Sequence, residues 1–212
     1  GANVKDVLHA ALGASAPVPT DPMDRALHEV AVPAEAAAQR SLLQTYGLRP
    51  DLFATTNIWS GTDGANVIAY AKGAPEAIAD LCNLGKSERD RLLQDVDQFA
   101  AQGFRLLGVA EAAFVPSDGI YPNSQRDIAF NYLGLVGFAD PLRPTVRAAV
   151  SECRTAGIRV IMITGDYPTT ARAIANEAGI AEGAGLSCDE PEKLSDSELA
   201  EAMKTTSVFA RI

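Results

Sequence analysis

The chain has 212 residues and a formal net charge of −9 at pH 7; 47% of its residues are apolar and 21% are charged. This length allows one large domain or two small ones, with enough apolar residues for a substantial core. The acidic balance argues against a nucleic-acid interface, which needs a basic stripe, and against a polybasic membrane patch.

Cysteine spacing and hydropathy indicate the cellular compartment in which the chain would fold. The three cysteines are far apart and include no CxxC pair, so the sequence predicts neither a disulfide framework nor a cysteine zinc site. A reducing, cytosolic setting fits this pattern best. No apolar run approaches the length that spans a bilayer, so we expect the piece to be soluble.

The beginning of the chain is predicted to be helical. Residues 3–13 carry apolar side chains at helical spacing, which indicates a helix with one buried stripe. The run T-D-P-M-D at residues 20–24 is typical of a helix start, with a capping side chain, an early proline and early acids, and this helix is expected to reach Val30. Another helix is predicted over residues 34–46, ended by Gly47.

The middle of the chain mixes strands with helices. The turn S-G-T-D-G at residues 60–64 joins two strand-like runs, which predicts a β-hairpin. A helix is expected over residues 75–84, and a second helix, with Ser87 and Asp90 as its capping box, is ended by Gly103. The mixture indicates an α+β domain. The strands predicted in this part cover residues 52–59, 65–72, 104–114 and 128–138.

From about Leu133 the pattern becomes an alternation of strand and helix. The strand there leads into a D-P-L-R-P run at residues 140–144 and a helix that ends near Ala156. The run at residues 158–163 is apolar and β-favouring, apart from Arg159, which predicts a strand buried on both faces of a parallel sheet.

The end of the chain continues the alternation. A helix after this strand ends at Gly179, and Ser195 with Glu198 forms a capping box for a helix that reaches about Lys204. A final strand is predicted over residues 207–212. Such an alternation implies a parallel, right-handed α/β unit.

A T-G-D turn directly follows the strand at residues 158–163. Ligands of open parallel sheets lie at the carboxyl ends of strands, where amides at the next helix start face an anion. Thr164 can donate a hydroxyl hydrogen bond, and Gly165 lets a phosphoryl group approach the backbone. In the alternative interpretation, the turn is an ordinary one and Asp166 caps the following helix.

A lysine stands at the end of the predicted strand 65–72. Lys72 and the helix start after Gly73 together offer a cation and unpaired amides, which suit an anionic ligand. The alternative is a plain strand-to-helix turn with an exposed lysine.

Five motifs occur in one order along the chain and carry a resemblance to a known family. Together they resemble the cytosolic part of P-type ATPases, the cation-pumping family, from about Asp21 to the end of the chain. Five ordered matches arise by chance far less often than any one of them. The motifs are KGAPE at residues 72–76, GFRLL at 103–107, DPLRP at 140–144, TGD at 164–166 and FAR at 209–211.

The resemblance implies two domains. Residues 1–131 are expected to form the nucleotide-binding (N) domain, an α+β domain with an antiparallel sheet and flanking helices. Residues 132–212 are expected to form part of the phosphorylation (P) domain, which has the α/β, Rossmann-type haloacid dehalogenase-like fold. In such pumps the N domain holds adenine and delivers the γ-phosphate to an aspartate of the P domain.

The resemblance also assigns roles on the N domain. It places Lys72 and Gly73 in the adenine pocket, and Arg105 at the phosphates. Many members carry an acid two residues before an Ala-Leu pair, and Asp24 fits this position with a shorter side chain. An arginine can make two parallel hydrogen bonds to phosphate oxygens, which suits the part given to Arg105.

On the P domain, the resemblance places Thr164, Gly165 and Asp166 around the transferring phosphoryl group. It assigns Asp140 and Arg143 to the hinge and the nucleotide face. In the same way, Arg211 approaches the ribose. Phosphoryl transfer depends on positioning and cationic compensation more than on covalent help from many groups, so these implied roles make physical sense.

The chain departs from the family in two ways that bear on activity. It contains neither the DKTGT motif with the phosphorylated aspartate nor the GDGxND motif that holds Mg²⁺. It is therefore expected to begin after the nucleophile and to stop before the metal site, and to be inactive alone. The aromatic residue that stacks on adenine also lacks a clean match; Tyr46 or Phe53 could replace it, or Leu48 could give an apolar wall.

The parent implied by this resemblance couples ATP hydrolysis, through an aspartyl-phosphate, to ion transport. Its cofactors would be ATP and Mg²⁺, with the Mg²⁺ site mainly outside this chain. Its partners would be ATP or ADP and the remaining transmembrane and actuator domains, and the chain would be a monomeric cytosolic portion of an integral membrane protein. Two alternatives remain open: a haloacid dehalogenase-like phosphatase with a large cap, and a non-enzymatic adenine-nucleotide-binding module.

Overall fold

A computed structural model describes residues 2–30, 40–61, 66–116, 120–139, 141–180 and 195–210. The helices are α1 (Val4–Gly13), α2 (Pro22–Val30), α3 (Pro75–Leu81), α4 (Lys86–Ala100), α5 (Val146–Thr155), α6 (Pro168–Ala178) and α7 (Asp196–Thr205). The strands are β1 (Leu42–Tyr46), β2 (Ala54–Ser60), β3 (Val67–Gly73), β4 (Phe104–Phe114), β5 (Asn131–Ala139), β6 (Met162–Thr164) and β7 (Val208–Ala210).

The chain packs into two units whose limits fall inside α4, β4 and β5. The first unit comprises Gly1–Gln94 and Leu106–Val136, and the second comprises Asp95–Arg105 and Gly137–Ile212. The domain division expected after residue 131 stays a prediction. In the described part of the chain, none of the helices combines the length and the apolar composition that crossing a bilayer requires.

The first unit is built on a five-stranded sheet in the order β1-β2-β3-β4-β5. β2 and β3 form the predicted hairpin, and β3 pairs with β4 in the same antiparallel sense. The pairing sets Lys72 opposite Thr55 on one side and Val109 on the other. An antiparallel sheet with flanking helices agrees with the expected α+β class.

One face of this sheet carries the main apolar core. Small residues dominate on the strands, which lets α3 pack closely against them. Gly108 shows how tight this contact is, because a Cβ placed there would lie 2.9 Å from Cβ of Ile78. The core residues include Ala54, Ile58, Ala69, Ala71, Ile78, Leu81, Ala110 and Ala112, all of them buried.

The helix predicted over residues 34–46 is wrong for its described part. Leu42–Tyr46 is strand β1, which pairs antiparallel with β2 at the edge of the sheet. Its residues are mostly exposed, so the apolar pattern gave no clear period. Pairing with β2 decides the structure here, and local propensity does not. Residues 34–39 lie outside the described residues.

The capping box predicted at Ser87 and Asp90 is also wrong. Helix α4 begins at Lys86, so Ser87 already lies in its first turn. The carboxylate of Glu88 instead accepts a hydrogen bond from the backbone N–H of Gly85 at 3.1 Å. The capping boxes at Asn3 of α1 and at Ser195 of α7 are both formed, the second as predicted.

Strand β5 was expected to open the parallel unit, but it joins the five-stranded sheet as the neighbour of β4. The parallel pair consists of β6 and β7, in register from Met162 opposite Val208 to Thr164 opposite Ala210. Helix α6 packs on this pair through buried alanines and ends at Gly179, which adopts a left-handed conformation (φ 77°).

Strand β6 is shorter and more exposed than the sequence predicts. It covers Met162–Thr164, whereas the expected strand covered residues 158–163. Ile163 is 62% exposed, so burial on both faces is not observed. The physical reason is that among the described residues this sheet has two strands, too few to cover both faces of β6.

Candidate functional site

Lys72 lies near the end of β3 and is enclosed by the segment that joins α1 to α2. Its ammonium group donates to Oδ1 of Asp24 and to Oγ of Ser15, the latter at 2.8 Å. The side chain of Lys72 is 11% exposed and that of Asp24 is 7% exposed. The exposed lysine of the alternative interpretation is therefore not what the structure shows.

Asp24 stands in the first turn of α2, where an acid is favoured by the helix dipole. Its Oδ2 accepts the backbone N–H of Ala16 at 3.1 Å, and its Oδ1 accepts from Lys72. Burial opposes ionisation of this carboxyl, but the Lys72 ammonium and the Ala16 amide outweigh that effect, so the pKa of Asp24 lies below its ordinary value. The two residues form a buried ion pair.

The segment between α1 and α2 is fastened to the sheet by two side chains of β2. Nδ2 of Asn57 donates to the carbonyl oxygens of Gly13 and Ser15, at 3.1 and 2.8 Å. Nε1 of Trp59 donates to the same Gly13 oxygen at 2.8 Å. Sequence analysis missed Ser15 and Asn57, because their part depends on contacts more than 40 positions apart along the chain.

Close backbone contacts leave no room for a side chain at Gly73. A Cβ at this position would lie 2.3 Å from the carbonyl oxygen of Phe53 and 2.6 Å from Cα of Ala54. That carbonyl oxygen also accepts the backbone N–H of Ala74 at 2.9 Å. The end of β3 and the start of α3 are thereby held against the first residues of the neighbouring strand.

The aromatic candidates differ in their surroundings. Tyr46 is half-buried, and its hydroxyl donates to the carbonyl oxygen of Pro122 at 2.5 Å. Phe53 is 61% exposed and lies next to the KGAPE motif through its contact with Ala74. Leu48 is exposed as well. Of the two rings, only that of Phe53 presents most of its surface to solvent.

The second unit brings three of the predicted residues together. Nε of Arg105 contacts Oδ1 of Asp166 at 2.6 Å. The Thr164 hydroxyl donates to Oδ2 of the same carboxylate at 2.8 Å and accepts the Asp166 backbone N–H at 3.1 Å. Gly165 is exposed in the turn between them.

The capping alternative for the T-G-D turn is not supported. Helix α6 begins at Pro168 with Tyr167 at its N-cap, and the cap makes no side-chain hydrogen bond. The Asp166 carboxylate is directed instead to Arg105 and Thr164. The arginine is 43% exposed, so an anion from solvent can reach the guanidinium.

The other predicted residues are not part of these two groups. Arg143 is exposed before α5, and its carbonyl oxygen accepts the Val146 N–H at 3.0 Å. Asp140 and Arg211 lie outside the described residues. Lys72 belongs to the first unit and Arg105 to the second, and the convergence of both cations on one ligand stays a prediction.

The described residues do not fit a Mg²⁺ ion. Within them there is no group of three or more His, Cys, Asp and Glu side chains able to hold a metal. Both oxygens of Asp166 already accept hydrogen bonds or an ion-pair contact from Arg105 and Thr164. We therefore assign no chemical step to a metal at this turn.

Comparison with known proteins identifies a matching family and related sequences. The family model of haloacid dehalogenase-like hydrolases matches residues 27–205. The chain is 35% identical over 161 residues to the cation-transporting ATPase pma1 of Synechocystis, an overlap of 71% of this chain and 18% of the relative. It is 39% identical over 120 residues to the sodium/potassium exporting P-type ATPase cta3 of Schizosaccharomyces pombe, an overlap of 52% of this chain and 12% of the relative.

A third relative is the endoplasmic reticulum calcium ATPase srcA of Aspergillus fumigatus, 33% identical over 165 residues, covering 66% of this chain and 17% of the relative. The resemblance predicted from the five motifs is thus confirmed. The chain spans less than a fifth of the length of these curated relatives.

Proposed function

The chain belongs to the haloacid dehalogenase-like hydrolase family, and we propose that it is the ATP-binding portion of a P-type cation-transporting ATPase. The parent pump would couple ATP hydrolysis, through an aspartyl-phosphate, to ion translocation. The names of the matched relatives support this assignment, since each describes an ATPase that moves cations. In the same proposal, the transmembrane and actuator parts of the pump are the partners of this chain.

The observation that carries the proposal is the enclosed lysine at the end of β3. Lys72 forms an ion pair with Asp24 in a site that is nearly closed to solvent. A buried ion pair is costly to desolvate and contributes little net stability compared with apolar residues. We take such a pair, at a strand end whose following amide is bonded to the backbone of the exposed Phe53, to be better explained by ligand binding than by stability.

The adenine pocket is proposed to lie between Lys72 and Phe53. Phe53 precedes β2, and its carbonyl oxygen is bonded to the amide that follows Gly73. A ring that is 61% exposed at this point offers a stacking surface for the base. Within this proposal Phe53 is preferred to Tyr46 as the stacking residue, since the Tyr46 hydroxyl is already engaged with Pro122.

The part of the site that contacts the phosphates is proposed to be the group of Arg105, Thr164 and Asp166. The guanidinium is the cation of this group, and phosphate is a bidentate partner for arginine. Thr164 and Gly165 would meet the transferring group, as the family resemblance implies. Asp140, Arg143 and Arg211 complete the proposed nucleotide contacts.

Binding by this chain alone is expected to be weak. Further residues that grip the γ-phosphate in the parent pump are expected to belong to other parts of it, so the base should supply most of the affinity. A dissociation constant of around 1 mM corresponds to about −4 kcal/mol. NMR titrations of the full chain with ATP are suited to this range.

The proposal is tested with two substitutions in parallel titrations. Lys72→Ala should weaken ATP binding several-fold, while Thr164→Ala should leave it unchanged, because Thr164 acts on a phosphoryl group that this chain does not fix. Circular dichroism of each variant checks the fold. Equal dissociation constants for the wild type and a folded Lys72→Ala variant would contradict the proposed site.

A further inference from the structure

The hydroxyl of Ser15 has a part in the Lys72 site that neither the motifs nor the relatives assign. Ser15 lies just beyond the C-cap of α1 and is 1% exposed. Its Oγ–H donates to the carbonyl oxygen of Ala11 at 2.9 Å, one turn back in the helix. This bond uses the single proton of the hydroxyl, so the lone pairs of Oγ are left to accept. Lys72 Nζ donates to them at 2.8 Å.

The backbone of Ser15 is fixed as firmly as its side chain. Its N–H donates to the carbonyl oxygen of Leu12 at 3.0 Å, and its own carbonyl oxygen accepts from Asn57 at 2.8 Å. The next amide, that of Ala16, donates to Asp24. The two oxygens that hold the ammonium are therefore set by one short segment that is anchored both to α1 and to the sheet.

The geometry of the ammonium follows from these two acceptors. An ammonium group has three N–H bonds. Within the described residues, two of them are directed to Ser15 and Asp24, which leaves the third for a ligand. Asp24 supplies the balancing charge, whereas Ser15 is neutral and supplies direction. Removing the Ser15 hydroxyl would leave the charge pair intact and let the third N–H turn away.

We propose that Ser15 is a positioning residue for nucleotide binding, which aims one N–H of Lys72 at the bound base. This inference rests on the proposed function, because it assumes that Lys72 contacts a nucleotide. It adds a residue from the loop between α1 and α2 to the site. The segment of residues 13–16 thereby becomes part of the binding machinery, beyond its part in packing.

The test compares Ser15→Ala, Ser15→Thr and the control Ser87→Ala in the full chain. Ser87 is exposed on α4, so its substitution makes the same chemical change away from the site. NMR follows the Lys72 ammonium signal without nucleotide, and then the dissociation constant for ATP. The Trp59 indole signal reports whether the loop stays in place, because Trp59 donates to Gly13.

We expect Ser15→Ala to shift or broaden the Lys72 ammonium signal while the Trp59 indole signal stays in place. ATP binding should weaken about tenfold, the order expected for one lost hydrogen bond to a charged group. Ser15→Thr, which keeps a hydroxyl, should bind within about twofold of the wild type, and Ser87→Ala should bind as the wild type does.

Two results would overturn the inference. One is an unchanged Lys72 signal and an unchanged dissociation constant in Ser15→Ala. The other is weaker binding accompanied by a displaced Trp59 signal, which would show a structural role only. If Ser15→Thr fails to fold, the Ser15→Ala result decides alone. If the wild type binds no ATP, the proposed function fails. The Lys72 ammonium signal of Ser15→Ala then still shows whether Ser15 orients the lysine.

Discussion

The two ion pairs of the candidate site, Lys72–Asp24 and Arg105–Asp166, differ in burial, and this difference separates their physical roles. Lys72 and Asp24 are almost closed to solvent, whereas Arg105 is 43% exposed and Asp166 is 14% exposed. A charge that loses its partner in a closed site must stay desolvated, at a cost of several kcal/mol. An exposed charge is rehydrated at little cost, so the second pair can open for a ligand.

The first prediction concerns Asp24 and pH. Its pKa is lowered in the folded chain, so its contribution to stability is fully present above the unfolded value of about 3.9 and is lost as pH falls through the folded value. Asp24→Asn should reduce the free energy of unfolding by about 3 kcal/mol at pH 7, because Lys72 loses its counter-charge. Urea denaturation at pH 7 and below pH 4 measures the difference in the free energy of unfolding between variant and wild type. This difference should be smaller in acid, and its absence at pH 7 would contradict this account.

The second prediction uses Asp166→Asn as the contrasting case. The amide keeps the size of the side chain and removes the charge that faces Arg105. Because the arginine is partly hydrated, the free energy of unfolding should change by less than about 1 kcal/mol. The same denaturation measurement applies. A loss comparable to that of Asp24→Asn would show that this pair, too, is a closed structural contact.

Part of the site follows from sequence and part does not. Lys72 and Asp24 were found because each lies in a short motif, and the structure brings the two together. Ser15 was missed because an isolated serine after a helix gives no local signal; its partner lies 57 positions further along the chain. Local patterns identify the charged groups, while the neutral groups that orient them are set by the tertiary fold.

At the scale of elements, prediction succeeded where local signals and tertiary contacts agree. β4 runs over Phe104–Phe114 as expected, since a glycine bounds a β-favouring run that also lies inside the sheet. β1 was missed, because an exposed edge strand has no apolar period and takes its structure from β2. For β6 the apolar run predicted burial that a two-stranded sheet does not provide.

The third prediction separates two glycines that the sequence treats alike, since each follows a predicted helix. Gly103 adopts φ 85° between α4 and β4, and an added Cβ would meet nothing within 4 Å. Gly47 also has open space, and its φ is not positive. Gly103→Ala should therefore cost about 1 kcal/mol from backbone strain alone, and Gly47→Ala should cost almost nothing. Thermal denaturation of both variants decides this, and equal midpoints would contradict the backbone assignment.

At the scale of the molecule, the two units differ in how fully their sheets are covered. Among the described residues, the first has five strands with a continuous core, while the second has a two-stranded parallel sheet with exposed Ile158 and Ile163. Parallel strands are normally buried on both faces, so the second unit should open more readily.

The fourth prediction follows from this difference. In limited proteolysis, cleavage should begin in the C-terminal half, after about residue 137, while a fragment that contains β1 to β4 persists. Mass spectrometry of the early products identifies the cut sites. Equal survival of both halves would show that the exposed sheet of the second unit does not weaken it.

The fifth prediction concerns turnover by the isolated chain. Neither a DKTGT nor a GDGxND motif occurs in the sequence, so we expect this chain to lack the nucleophile of the proposed aspartyl-phosphate chemistry. We expect no release of phosphate and no acid-stable label after incubation with γ-labelled ATP and Mg²⁺. Stoichiometric label on the chain would mean that another of its carboxylates accepts the phosphoryl group.

The central claim is that the chain binds adenine nucleotides at the end of β3, and nucleotide discrimination by NMR tests it most directly. Backbone amide signals of Phe53, Lys72 and Gly73 should shift on titration with ATP and with ADP to a similar extent, with little dependence on Mg²⁺. GTP should shift them much less, because the base supplies most of the affinity. If millimolar ATP moves none of these signals, or GTP moves them equally, the claim of an adenine site at Lys72 is wrong.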